Sequence, residues 1–265
     1  KKKKKEKKKK KEKKKIKKKK KKKERKKKKK KIKIKKMNIL NFLNETKSNN
    51  EMPIQDLLTD AIFYATEKHK SQHRKGEGNI PYINHPITVM RLVNMAGVSN
   101  LNVLAAAVLH DTVEDTDATL DDISQRFGVI VRNIVEEVTD DKSLSKIERK
   151  KAQIERIRTA SDGAKLIKIA DKISNVFDAC AAPPVGWKLD DIKMYACWSM
   201  EVVRAAEVSG NTPNGWLCSL FWKVFSKNIC YVQPLIYVVD KDVQDMKSPD
   251  FMKYLERYYA SLEQK

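Results

Sequence analysis

The chain has 265 residues and a formal net charge of +24. Its first 36 residues carry 30 basic and three acidic side chains, which leaves the other 229 at a net −3. The basic character belongs to one end, and this excludes an argument from overall charge to a nucleic-acid-binding fold. No run of 18 apolar residues occurs, so no membrane-spanning helix is expected. The 229 residues suffice for one sizeable core. Cys180, Cys197, Cys218 and Cys230 form no CxxC pair and read as reduced thiols of a cytoplasmic protein.

Apart from lysine, residues 1–36 contain only Glu, Ile and one Arg. Each has a codon one base from AAA, so the segment is expected to be an A-rich leader read in frame, with Met37 or Met52 as the start. If translated, self-repulsion keeps it disordered; a nuclear address or a polyanion-binding arm is then the functional reading. Residues 37–52 are polar and Asn-rich, a linker.

From Pro53 the pattern is helical. Ile54, Leu57, Leu58, Ala61, Ile62 and Ala65 fall at three- and four-residue spacing. Residues 74–84 cluster Gly, Pro and Asn and read as a loop. A helix then runs through ITVMRLVNM to Gly97, with Pro86 in its first turn. LNVLAAAVLH (101–110) is apolar on nearly all sides and predicts a central, buried helix. Thr119 with Asp122 suggests a capping box. Further helices are predicted at 129–138, 147–159, after Gly163 and at 190–208. NGWLCSLFWKVF offers a closing helix. The expectation is an all-α fold of seven or eight helices, with one domain over 53–230. Residues 231–265 form an extension assigned to no element; it holds the apolar run CYVQPLIYVV and a weakly helical end.

Four histidines are present. His69 and His73 lie in a Lys-rich stretch and read as ordinary core or surface residues. His110 ends the buried helix and is followed by Asp111, a pair costly to bury unless a hydrogen-bond network or a metal satisfies it. Asp171 interrupts another apolar stripe in LIKIADKISN. Imidazole and carboxylate donors together suit Mn²⁺ or Fe²⁺; zinc is the further candidate, although no thiolate stands nearby.

These strings resemble a known family. HRKGEGNIPYINHP, VLHDTVEDTD, VEEVTDDKSLSKIERK and KLIKIADKISN are similar to the hydrolase domain of RelA/SpoT proteins. That domain belongs to the HD superfamily of metal-dependent phosphohydrolases, whose ligands run H…HD…D. The stand-alone metazoan SpoT homologues are the nearest form, over residues 53–208. The resemblance implies His85, His110, Asp111 and Asp171 as ligands of Mn²⁺, and Glu114 and Asp115 as the catalytic acidic pair. It implies Arg74, Lys75, Lys146, Asn175 and Tyr195 as nucleotide contacts, with Lys142 in the same lysine segment as Lys146. Glu114 lies one turn past His110, so both can face one cavity. Asp191 stands where relatives often carry Arg, which predicts weaker phosphate binding. The implied reaction is hydrolysis of the 3′-diphosphate of ppGpp to GDP and pyrophosphate. An NADPH 2′-phosphatase is the enzymatic alternative, and a nucleotide- or nucleic-acid-binding protein acting through the tail is the non-enzymatic one.

Overall fold

The structure is a computed structural model that describes residues 54–229, apart from 77 and 209, and residues 249–263. The lysine-rich segment, the 37–52 linker and the run 230–239 lie outside the described residues. The helices are α1 (Ile54–Lys68), α2 (Asn84–Met95), α3 (Leu101–Leu109), α4 (Thr112–Asp115), α5 (Leu120–Phe127), α6 (Val129–Val138), α7 (Lys146–Thr159), α8 (Asp162–Ala181), α9 (Leu189–Ala206), α10 (Thr212–Ile229) and α11 (Pro249–Glu263). The all-α expectation holds among the described residues, where the one pairing of extended backbone is an isolated bridge between His73 and Pro81. Eight helices fall where the periodicity places them. The others are the four-residue α4, the closing helix α10, and α11 in the segment left unassigned. None is long and apolar enough to cross a membrane.

Local chemistry explains the boundaries. Thr119 Oγ1 accepts from Asp122 N–H, and Asp122 Oδ2 accepts from Thr119 N–H, closing the capping box ahead of α5. Ser145 and Glu148 do the same for α7. Asn100 and Ser161 cap α3 and α8. Each such cap is worth about 1 kcal/mol. Pro86 is the third residue of α2, where a missing N–H costs nothing. Gly97, at φ +96°, turns the chain out of α2 in a conformation that side chains disfavour.

Two helices form the centre. On α3 every residue from Leu104 to Leu109 is buried, and the helix packs against α1, α2, α6 and α8. The second, α8, touches α2, α3, α6, α7, α9 and α10. Its buried run from Leu166 to Ser174 includes the polar Lys168, Asp171, Lys172 and Ser174. Because α2, α3 and α8 pack on one another, the start of α2, the end of α3 and the middle of α8 meet at one place.

The last helix, α11, docks on α9 and α7. Leu255, Tyr258 and Leu262 repeat at helical spacing and are buried. The Tyr258 ring stacks on Trp198 of α9 with centroids 5.9 Å apart, and Arg257 pairs with Asp190 at 2.8 Å. Tyr258→Ala should therefore lower unfolding stability by about 3 kcal/mol. An unchanged urea midpoint would show that α11 does not dock.

Candidate metal centre and substrate cavity

Four side chains converge where α2, α3 and α8 meet. His85, in the first turn of α2, places Nε2 3.1 Å from Asp171 Oδ1 and 3.5 Å from Asp111 Oδ2. His110, just past α3, places Nε2 3.1 Å from Asp111 Oδ2 and 3.9 Å from Asp171 Oδ1. Donor atoms of His85, His110 and Asp171 all lie within 4.8 Å of one another. Both histidines and Asp171 are buried.

The hydrogen bonds around this cluster set its chemistry. His110 Nδ1 donates to the Ala107 carbonyl at 2.8 Å, so in the neutral ring Nε2 keeps a lone pair. That Nε2 is buried and makes no hydrogen bond. It faces acceptors only, an arrangement that fits a cation and leaves a neutral cluster unsatisfied. His85 Nδ1 meets Ser174 Oγ at 3.0 Å, which likewise turns Nε2 toward the carboxylates. Burial pulls the His85 imidazole down. Burial also works against charge on His110, but the Asp111 carboxylate outweighs it and raises that group. Burial works against ionising Asp111 and Asp171 too. His110 overcomes it at Asp111, and Lys172 with His85 at Asp171, so both stay well below the usual carboxylate range. Two ionised carboxylates facing two imidazole Nε2 atoms form a donor set for a divalent ion of intermediate hardness.

His85, Asp111 and Asp171 open onto a cavity of about 790 Å³, with His110 buried behind them. Glu114 and Asp115 line it. The Glu114 carboxylate accepts from Asp140 N–H at 3.2 Å; burial first, then Asp140, push its carboxyl up. Asp115 is exposed, held by Lys142 at 3.1 Å and Tyr82 Oη at 3.3 Å. Arg74 donates to Asp178 at 2.8 Å and to Asn175 Oδ1 at 2.7 Å, and Asn175 donates to Asp171 Oδ1. Lys75 and Tyr195 also line the cavity, with the Tyr195 ring 5.5 Å from Trp187. Gly76 lets this loop close on the end of α8, since a Cβ there would overlap the Ala182 carbonyl.

One expected contact lies elsewhere. Lys146 is exposed at the first residue of α7 and is not among the lining side chains; the helix carries its N-terminal turn outside the cavity. Lys150, one turn on, lines it instead. Asp191 is also absent from the lining and accepts from Lys188 N–H at 2.8 Å, capping α9. Several lining residues have no counterpart in the sequence reading. Tyr82 donates to Asp111 Oδ2 at 2.6 Å. His69 is buried behind it, with ring centroids 4.9 Å apart. Asp140, Gln153, Lys168 and Lys172 complete one wall.

A family model described as HD domain matches residues 61–189. The chain is 48% identical over 151 residues to the Mus musculus protein named guanosine-3′,5′-bis(diphosphate) 3′-pyrophosphohydrolase MESH1, covering 57% of this chain and 84% of that one. The Homo sapiens protein of that name matches with the same identity and coverage. The Drosophila melanogaster one is 45% identical over 145 residues, covering 54% of this chain and 81% of its own length. A solved structure described as "A metazoan ortholog of SpoT hydrolyzes ppGpp and plays a role in starvation responses" superposes with a TM-score of 0.61 at 38% identity, covering 68% of this chain and 98% of that chain. The chain belongs to the MESH1 family of HD-domain proteins.

If the cluster holds a divalent ion through Asp111, Asp111→Ala should cut the metal retained after dialysis at least about tenfold. Full metal content in this variant would remove Asp111 from the ligand set.

Proposed function

We propose that this HD-domain chain hydrolyses the 3′-diphosphate of ppGpp, giving GDP and pyrophosphate, with a divalent ion held by His85, His110, Asp111 and Asp171. Mn²⁺ is the preferred ion. The observation that carries the reading is the buried His110 Nε2, which makes no hydrogen bond and lies 3.1 Å from the Asp111 carboxylate. The activity printed in the names of the 48%-identical relatives supports the choice of substrate. Such an ion, when bound, supplies a water of lowered pKa and neutralises phosphate charge.

The chain's own groups do the rest. Glu114 takes the proton that water sheds as its oxygen bonds to phosphorus. The bond from phosphorus to the ribose 3′ oxygen breaks, and that oxygen takes up a proton. A carboxyl raised by burial is the stronger base for this step. The Asp140 N–H holds Glu114 in place, while Lys142 and Tyr82 hold Asp115. Arg74 and Asn175 meet the nucleotide's sugar and phosphates, its base meets Tyr195 and Trp187, and Lys75 adds charge at the rim.

Two experiments test this. The chain with Mn²⁺ should release pyrophosphate from ppGpp with a higher kcat/KM than it releases phosphate from NADPH. No release from ppGpp by a folded, metal-loaded protein would refute the reading. Glu114→Gln should lower kcat by about 10²–10⁴ with metal retained. The wild-type rate should fall as acid protonates Glu114, at a pH above its ordinary 4.5 because the folded value is raised. That acid limb should vanish in the variant, and its persistence would assign the base to another group.

A further inference from the structure

Along α8, Lys168, Asp171, Lys172, Asn175 and Asp178 follow at helical spacing, and all line the cavity. At 1.5 Å per residue they span about 15 Å. The middle of this row belongs to the metal cluster. Its C-terminal side, through Asn175 and Asp178, binds Arg74. The N-terminal side is of another kind, for Lys168 and Lys172 are joined there by Lys150 from α7.

These three ammonium groups share one carboxylate of their own wall, Asp140, which, against its burial, Lys168, Lys150 and Lys172 together hold below the usual carboxylate range. Lys172 Nζ donates to Asp171 Oδ2 at 2.8 Å, and Lys168 Nζ to the Val138 carbonyl at 2.7 Å. Lys150 Nζ lies 3.9 Å from the centroid of the Trp198 ring, and Lys172 Nζ 4.5 Å from the same ring. Lys150 makes no ion pair among the described residues. Burial, then Lys172, pull its ammonium down to about 7. Gln153, 6% exposed on the same wall, donates to Asp140, and its Oε1 is buried without a hydrogen-bond partner. Three ammonium groups around one carboxylate leave an excess of positive charge that suits an anion, and a free amide oxygen beside them suits the P–OH of a protonated phosphate.

We propose that Lys150, Lys168 and Lys172, with Gln153, form a subsite for the phosphate beyond the scissile one, so that the cavity selects a diphosphate ester over a monophosphate ester. This rests on the hydrolase reading, which sets the scissile phosphorus at the metal cluster. The nucleoside then extends toward Arg74, and the terminal phosphate of a 3′-diphosphate falls among the lysines. A ribose 2′-monophosphate has nothing to place there.

The test varies Lys150, which is joined to no metal ligand. Calorimetry on the full chain without added metal should show pyrophosphate binding at least about tenfold tighter than orthophosphate. Lys150→Met should lose most of that margin by weakening pyrophosphate, while Lys150→Arg keeps it. Lys70→Met, an exposed control, should match the wild type. With Mn²⁺, Lys150→Met should lower kcat/KM for ppGpp at least about tenfold more than for NADPH or guanosine 5′-diphosphate 3′-monophosphate. Pyrophosphate affinity within twofold of wild type in a folded Lys150→Met, or equal loss for pyrophosphate and orthophosphate, would overturn the subsite. A lysine-dependent margin in a protein that releases nothing from ppGpp would sustain the anion subsite and sink the hydrolase reading. Turnover of ppGpp with no such margin would do the reverse.

Discussion

Burying the Asp171 carboxylate is the constraint on which the rest of the site depends. An ionised acid inside a helix packed on six neighbours is tolerable only with partners. Lys172, His85 and Asn175 are those partners, and each comes from a position the fold must hold. His85 requires α2 to cross α8 at its first turn. Asn175 requires the helix to continue one turn. Stripping one partner from such a group costs about 3–5 kcal/mol, although a well-packed apolar replacement of the whole set can be neutral.

Around that point the charges are sorted by position. The donor cluster lies in the middle, Arg74 with Asp178 toward one end, and Lys150, Lys168 and Lys172 with Asp140 toward the other. Supporting contacts keep the sorting rigid. Tyr82 is fixed between His69 and the Asp111 carboxylate. The absent Cβ of Gly76 lets the Arg74 loop lie against the end of α8. Trp198 is backed by Tyr258 and fronted by two lysines, so a wall of the cavity is braced from outside by the last helix.

Much of this was legible before any coordinates. A helix apolar on every side had to be central, and His110–Asp111 at its end and Asp171 inside another stripe could not be surface ornaments. The cap at Thr119 marks a real start because its side-chain oxygen binds a free N–H group. Tyr82 escaped notice because a loop residue has no periodicity to betray it. Lys150 did carry a signal: it falls in step with Ile147, Ile154 and Ile157 on the buried stripe of α7, whereas Lys146 is one position off it. Four basic residues from 146 to 151 hid that phase. The docking of α11 needed three dimensions, since only contact with α9 shows what its tyrosines cover.

The order of these elements also has a consequence in time. Chains emerge at about 5–20 residues per second, so the 86 positions between His85 and Asp171 take on the order of ten seconds to synthesise. His85 exists throughout that interval, and His110 and Asp111 for its later part, without the acid that joins them, and Trp198 waits longer still for Tyr258. Helices α1 to α6 can pair as they appear, but the metal cluster cannot close until α8 has been made. The centre is therefore a late product of assembly, and a nascent chain carries its histidines before the carboxylate that faces them.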